Sequence, residues 1–174
     1  MRRAVGIGPM ALLVAGLALI FAPPASAAVA CPDPATVHAA RLIEFQTMMM
    51  DVSVRCSHVG VTIGNHLNEM ATAHTTMFDD ARERVRGFLA RAANSAGRPA
   101  APASRHGDPL DRYMTMLGNR YGAGSTTPDR CHAFDAIAMS LVDRGNTDKL
   151  LTMVADSLIG ETLLENLIGC PAKP

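Results

Sequence analysis

The chain lacks tryptophan and contains only five Phe and two Tyr residues. Large aromatic side chains therefore contribute little to its core, and leucine, isoleucine, valine, methionine and alanine must fill the interior. The chain also lacks net charge, because 16 basic residues balance 16 acidic ones. A chain without excess positive charge has no electrostatic reason to bind nucleic acid or an anionic membrane, and we expect neither partner.

Catalytic and cofactor-binding motifs are also absent from the sequence. It contains no H-E-x-x-H metal motif, no G-x-S-x-G nucleophile elbow and no phosphate-binding glycine loop. None of its cysteines forms a C-x-x-C pair, which disfavours thiol–disulfide exchange as an activity. We therefore expect no cofactor and no catalytic residues, and an enzyme is the third of the functional hypotheses below.

The first 27 residues have the three parts of an export signal. Arg2 and Arg3 form a positive start, residues 10–21 are apolar or glycine, and Ala25-Ser26-Ala27 is a small-x-small site of the kind that signal peptidase cuts. The apolar run is too short for a membrane-spanning helix, which needs about 20 residues. We predict a signal peptide over residues 1–27 and a single mature helical domain over residues 28–174, without a transmembrane segment.

Four cysteines follow the export signal, and they indicate an oxidising compartment. The number of cysteines is even, which suits two disulfides in a soluble periplasmic or secreted protein; they are Cys31, Cys56, Cys131 and Cys170.

An alternative interpretation is that Val29-Ala30-Cys31 is a lipobox, in which Cys31 would be lipidated and would anchor the protein. The residue three positions before Cys31 is alanine rather than leucine, and lipidation would leave an odd number of cysteines. The soluble interpretation is therefore favoured.

Cap residues and apolar spacing predict an all-α fold, a disulfide-stapled bundle of four to five helices. Proline follows a capping residue at Asp33-Pro34, Asp108-Pro109 and Thr127-Pro128, which is typical of a helix start. Residues 94–107 are rich in Ala, Pro, Gly and Ser and suit a flexible linker. No alternating segment is long enough for a sheet. The predicted helices run from residue 34 to about 58, from about 64 to 93, from 109 to about 122, from 128 to a break at 145–147, and from about 148 to 168.

The first predicted helix is the most apolar and should lie at the centre of the bundle. Apolar residues cover most of its circumference, and Met50 and Val54 add a second apolar flank. Only a narrow stripe is polar, so we expect this helix to be mostly buried. The stripe consists of Arg41, Glu44, Asp51 and Arg55.

Helix length limits how the cysteines can pair. Cys31 and Cys56 lie at opposite ends of the first helix, roughly 33 Å apart, whereas a disulfide needs about 4.4–6.8 Å between Cα atoms. Excluding that pair leaves Cys31–Cys170 with Cys56–Cys131, or Cys31–Cys131 with Cys56–Cys170. In an up-and-down bundle, the end of the first helix and the start of the fourth lie at the same end. The preferred pairs are therefore Cys56–Cys131 and Cys31–Cys170.

A stripe of His and Met residues on the second predicted helix offers a metal-binding alternative. His66, Met70, His74 and Met77 share one helical face, and imidazole with thioether suits copper. Three of them, Met70, His74 and Met77, also occupy positions that must face the core, where methionine is ordinary filling. Core packing is therefore the favoured interpretation, and periplasmic copper handling is the alternative.

Two segments and the placement of the cysteines resemble a group of exported proteins. Residues 31–56 (CPDPATVHAARLIEFQTMMMDVSVRC), residues 121–131 (YGAGSTTPDRC) and a cysteine near the C-terminus are similar to small four-cysteine helical proteins of alphaproteobacteria, chiefly sphingomonad-like ones. That group has no assigned activity, so the resemblance implies a fold and a compartment only. We expect an exported structural, accessory or protein-interaction module whose partner is another periplasmic protein.

Overall fold

A computed structural model describes residues 30–95, 108–142 and 147–170. These residues form seven α-helices and contain no strand, which confirms the predicted all-α, disulfide-stapled fold. The predicted signal peptide and most of the predicted linker lie outside the described residues. The helices are α1 (Pro34–His58), α2 (Gly64–Ala73), α3 (Thr75–Ser95), α4 (Pro109–Gly122), α5 (Pro128–Ser140), α6 (Thr147–Leu158) and α7 (Leu163–Ile168). None of them combines the length and the apolar character that a membrane-spanning helix needs.

Three helices begin where the sequence predicts, each at a proline behind a capping side chain. Asp33 accepts a hydrogen bond from the Thr36 N–H at 2.7 Å, and Asp108 accepts one from the Leu110 N–H at 3.0 Å. These backbone donors hold the pKa of both aspartates below the usual value. Thr127 caps α5 in the same way.

His74 divides the second predicted helix into α2 and α3, so the prediction of one continuous helix is wrong. The backbone of His74 departs from helical geometry, with φ −113° and ψ 21°. Its buried ring lies 2.8 Å from the Leu141 carbonyl oxygen and 2.7 Å from a carboxylate oxygen of Asp148. These contacts draw the side chain toward α5 and α6 and account for the break. Beyond the break Phe78, rather than the expected Met77, is fully buried.

The last predicted helix is also two helices, because the chain turns at residues 159–162. The Thr162 hydroxyl accepts a hydrogen bond from the Glu165 N–H, and the Glu165 carboxylate accepts one from the Thr162 N–H at 3.0 Å. Such a capping box begins a new helix, so the prediction of a single helix from 148 to 168 is wrong. α7 ends at Ile168, and the following residue, Gly169, has a φ of 71°, a left-handed conformation that glycine adopts at little cost.

α1 lies at the centre of the bundle and contacts each of the other six described helices. Its side chains Ile43, Phe45 and Met49 are fully buried, in agreement with the expected central position. The apolar flank is less covered than expected, because Met50 and Val54 are 57% and 58% exposed. The rest of the described chain contributes further large buried side chains, including Met70, Phe78, Tyr113, Leu117, Leu141, Leu151 and Leu164.

Two disulfides staple the bundle. Cys31 is bonded to Cys170 with Cα atoms 5.8 Å apart, and Cys56 is bonded to Cys131 with Cα atoms 5.6 Å apart. These are the pairs that helix length and bundle topology favoured. A sulfur atom bonded to Cys170 is not free to carry a lipid, so the first disulfide and the lipobox alternative for Cys31 exclude each other.

Candidate functional site: an arginine-lined cavity

The glutamate of the α1 polar stripe, Glu44, is completely buried. Its Oε1 accepts hydrogen bonds from the Tyr113 hydroxyl at 2.8 Å and from the Leu163 N–H at 2.6 Å. Its Oε2 accepts one from the Tyr121 hydroxyl at 2.9 Å, and a guanidinium nitrogen of Arg120 lies 3.7 Å away. Both tyrosines of the chain thus bind one carboxylate, which joins α1, α4 and the start of α7.

This carboxylate network is suited to holding structure rather than to moving protons. Burial, followed by the negative charge of Glu44, raises the pKa of the Tyr113 and Tyr121 hydroxyls far above the usual value. The two phenols therefore stay protonated as donors, and both oxygens of Glu44 are already bonded. A buried charge is stabilised by such partners, and removing one side of a buried pair costs about 3–5 kcal/mol.

A cavity of about 330 Å³ lies beside the network, between α1, the end of α4 and the start of α5. Three arginines line it, Arg55 from α1, Arg120 from α4 and Arg130 from α5, and none of the described lining residues is acidic. The loop over residues 123–126 forms another part of the wall. The apolar part of the lining consists of Met48, Val52 and Phe134.

Tyr121 connects the Glu44 network to the cavity, because its ring also lines the cavity wall. The guanidinium of Arg120 lies over this ring, 5.5 Å from the ring centroid, which is a cation–π distance. Arg120 also donates a hydrogen bond to the Glu161 carbonyl oxygen at 3.3 Å. The buried carboxylate of Glu44 therefore helps to position Arg120 at the cavity wall, both directly and through Tyr121.

Arg55 is only partly satisfied by its neighbours. Its Nη1 donates to the Ala123 carbonyl oxygen at 2.7 Å, but its buried Nε has no hydrogen-bond partner among the described residues. One turn earlier on α1, the buried Oδ2 of Asp51 also lacks a partner there. Burial raises the pKa of the Asp51 carboxyl above its usual value, and the charge of Arg55 offsets only part of that effect. Since an unpaired buried polar group costs about 1–3 kcal/mol, these two atoms call for an explanation.

The Cys56–Cys131 disulfide positions the other two arginines. Arg55 directly precedes Cys56, and Arg130 directly precedes Cys131. Their main chains are therefore joined through the Cα–Cα separation of 5.6 Å at the disulfide. All three cations are attached to residues that the fold holds in place, which lowers the cost of ordering them when a ligand binds.

Two further cavities differ from this one in charge. The first, about 360 Å³, includes Arg82, whose guanidinium already donates to Gln46 and Asp79. The second, about 320 Å³, has Glu69 as its charged residue. Of these three cavities, only the one at Arg55 combines several like charges.

The structure places the residues of the predicted copper stripe in separate environments. His66 lies 2.7 Å from an Asp135 carboxylate oxygen on α5, whereas both ring nitrogens of His74 are hydrogen-bonded. Met70 is fully buried, and Met77 is partly buried against the core. Within the described ranges, no group of three or more His, Cys, Asp or Glu side chains is placed to hold a metal ion.

Neither the Glu44 network nor the cavity was predicted from the sequence. One available signal was that Tyr113 and Tyr121 lie eight residues apart, a spacing that places them near one side of the same helix. The other was that Arg55 and Arg130 each precede a cysteine, so pairing of those cysteines necessarily brings the two arginines together. The burial of Glu44 beside the two tyrosines depends on packing between segments that are far apart in the sequence.

No protein-family model, no curated protein and no solved structure matches the chain significantly. The function of the cavity and of the network must therefore be inferred from their own chemistry. The resemblance to exported four-cysteine proteins of alphaproteobacteria stays a prediction.

Proposed function

We propose that the protein is an exported accessory module of the periplasm or the cell exterior, which acts by binding a small ligand in the cavity lined by Arg55, Arg120 and Arg130. The observation that carries this proposal is the placement of three arginines, from three helices, around one cavity. Each arginine adjoins a residue that the fold fixes, namely Cys56, Tyr121 or Cys131. Such preorganisation is typical of binding sites.

The disulfides support the exported location. Two disulfides join all four cysteines of the chain, and disulfides form and persist in oxidising compartments such as the periplasm and the exterior. The predicted export signal over residues 1–27 points to the same compartments. A disulfide-stapled bundle keeps its cavity shape where no cytosolic reductant opens the bonds.

The size and lining of the cavity support a small ligand. At about 330 Å³, it falls at the lower end of the 300–1,000 Å³ range of small-molecule sites. Glu44, which lies behind the cavity, is completely buried and both of its oxygens accept hydrogen bonds, so it is placed as a structural acceptor. The arrangement is therefore suited to holding a ligand.

Export is tested by expressing the full chain in a Gram-negative bacterium and measuring the intact mass of the product from the periplasmic fraction. We expect cleavage after Ala27 and a mass lower by four hydrogens than that of the reduced chain. Retention in the cytosol with four free thiols, or an acyl chain on Cys31, would contradict the proposal.

Binding is tested by two-dimensional NMR of the oxidised, ¹⁵N-labelled protein with a mixture of small anionic, neutral and cationic aromatic compounds. We expect shift changes confined to Arg55, residues 121–126, Arg130 and Phe134. Ser125→Trp places a large side chain at the cavity wall and should abolish these changes, whereas Ser157→Trp, on the exposed face of α6, should not. Changes elsewhere, or none, would overturn the proposal.

A further inference from the structure

The charge of the cavity is the first indication of what it binds. Three arginines line one cavity, although the chain as a whole has no net charge. Like charges held together in a partly enclosed site repel one another, and an anion between them removes that repulsion. Arg120 has a partial counter-charge in Glu44, which also accepts hydrogen bonds from two tyrosines and a backbone N–H, and Arg55 has a partial counter-charge in Asp51.

The position of the Arg55 guanidinium is the second indication. Its Nη1 donates to the Ala123 carbonyl oxygen at 2.7 Å, which holds the guanidinium at the cavity wall. Guanidinium is a fork of donors that matches carboxylate and phosphate oxygens. Thr126, which lies just before α5, and Arg130, in the first turn of α5, also line the cavity, so the positive end of this helix dipole lies beside it.

The apolar lining is the third indication. Met48, Val52 and Phe134 line the cavity together with the ring of Tyr121. A bare inorganic anion would leave this surface in contact with water, whereas an aromatic or short aliphatic group would cover it. The cavity volume of about 330 Å³ has room for one such group with its acidic head.

We infer that the ligand of this cavity is a small organic anion, in which a carboxylate or phosphate head pairs with Arg55, Arg120 and Arg130 and an apolar substituent lies against Phe134. The inference rests on the proposed function and deepens it by naming the class of ligand. Carboxylate and phosphate share the chemistry that the arginines recognise, and the experiment separates them.

The test is isothermal titration calorimetry of the oxidised protein with phenyl phosphate, benzoate, inorganic phosphate, benzyl alcohol and benzylamine. We expect binding of phenyl phosphate or benzoate, and affinity at least tenfold lower for inorganic phosphate, benzyl alcohol and benzylamine. The better of the two organic anions identifies the head group. Equal or tighter binding of benzyl alcohol or benzylamine, or failure of both organic anions to bind, would overturn the inference.

Variants separate a specific site from general attraction to positive charge. Arg130→Gln changes an exposed residue, so the fold should be kept while affinity for the organic anion falls at least tenfold. Arg55→Gln should lower it at least as much. Arg112→Gln on α4 removes one exposed positive charge away from the cavity lining and should change affinity less than twofold. Equal losses in Arg112→Gln and Arg130→Gln would contradict a site at the cavity.

The two proposals fail in different ways. If no probe shifts the NMR signals of the cavity residues, the binding function itself is wrong. If neutral or cationic aromatics shift those signals and Arg130→Gln has no effect, the cavity binds a ligand but the anionic class is wrong.

Discussion

Glu44 and Arg55 lie on one side of α1, about three turns apart, yet their surroundings differ. Glu44 is covered by α4 and the start of α7, and both of its oxygens accept hydrogen bonds. Arg55, near the end of the helix, faces the loop between α4 and α5 and keeps an unpaired Nε. One polar stripe therefore forms a bonded network where helices cover it and the wall of a cavity, the proposed ligand site, where a loop follows.

Truncating the covered end of the stripe should have the largest effect on stability. Glu44→Ala leaves the Tyr113 and Tyr121 hydroxyls and the Leu163 N–H without their acceptor, and we expect a loss of about 3–5 kcal/mol. Urea unfolding of the oxidised protein, followed by circular dichroism, measures the difference. Met50→Ala, at an exposed position on the same helix, should change stability by less than about 0.5 kcal/mol.

A milder variant checks that the loss of stability comes from the hydrogen-bond network and not only from the lost volume of the Glu44 side chain. Tyr121→Phe removes one donor and keeps the ring, so we expect a loss of about 1–3 kcal/mol. If Glu44→Ala costs no more than Met50→Ala, the buried carboxylate does not stabilise the fold and the comparison fails.

The two disulfides should have similar effects on stability and different effects on the cavity. Replacing either bonded pair with serine should cost about 2–5 kcal/mol, measured by urea unfolding. Only the Cys56→Ser/Cys131→Ser variant frees the main chain beside Arg55 and Arg130, so only this variant should weaken phenyl phosphate binding, by several-fold or more. Equal affinity in that variant and the Cys31→Ser/Cys170→Ser variant would show that the disulfide does not position the arginines.

The helices were predictable where local chemistry decides them. Asp33, Asp108 and Thr127 cap the helices that follow, and each precedes a proline. The break at His74 was not predictable, because it depends on Leu141 and Asp148, which lie far away in the sequence.

Which residues of the polar stripe become buried was not predictable, for the same reason. Glu44, Asp51 and Arg55 share one helical face, and nothing in their local sequence separates them. Burial of Glu44 depends on the tyrosines of α4 and on the turn before α7. The disulfide pairs could be narrowed, because helix length is a local property that excludes Cys31–Cys56.

Asp51 lies at the uncovered end of the polar stripe, and the effect of its charge on stability can be tested by varying the pH. Its folded-state pKa is raised, so its charged form is less favourable in the folded than in the unfolded chain. Asp51→Asn should therefore increase stability at pH 7 relative to the native chain, and the difference should disappear below the ordinary pKa of about 3.8. Urea midpoints measured at several pH values give the result.

The same variant should tighten anion binding. Asp51 is a negative charge close to Arg55, and removing it leaves the arginines less neutralised. We expect a gain of a few-fold in phenyl phosphate affinity at pH 7, with Asp80→Asn on exposed α3 as the matched control. Weaker binding in Asp51→Asn would show that Asp51 orders Arg55 for the ligand rather than competing with it.

The smallest effect is expected at a partly exposed ion pair, in contrast to the completely buried Glu44. Nδ1 of His66 on α2 lies 2.7 Å from a carboxylate oxygen of Asp135 on α5, and this hydrogen bond raises the pKa of His66 above its ordinary value of 6.5. The pair therefore stabilises the fold fully below pH 6.5, and the contribution is lost as pH rises through the raised folded-state pKa. NMR titration of the His66 ring should give a pKa above 6.5, which Asp135→Asn should lower. The pH dependence of the urea midpoint in this range should flatten in His66→Gln. A pKa that Asp135→Asn leaves unchanged would show that Asp135 does not stabilise the charged form of His66.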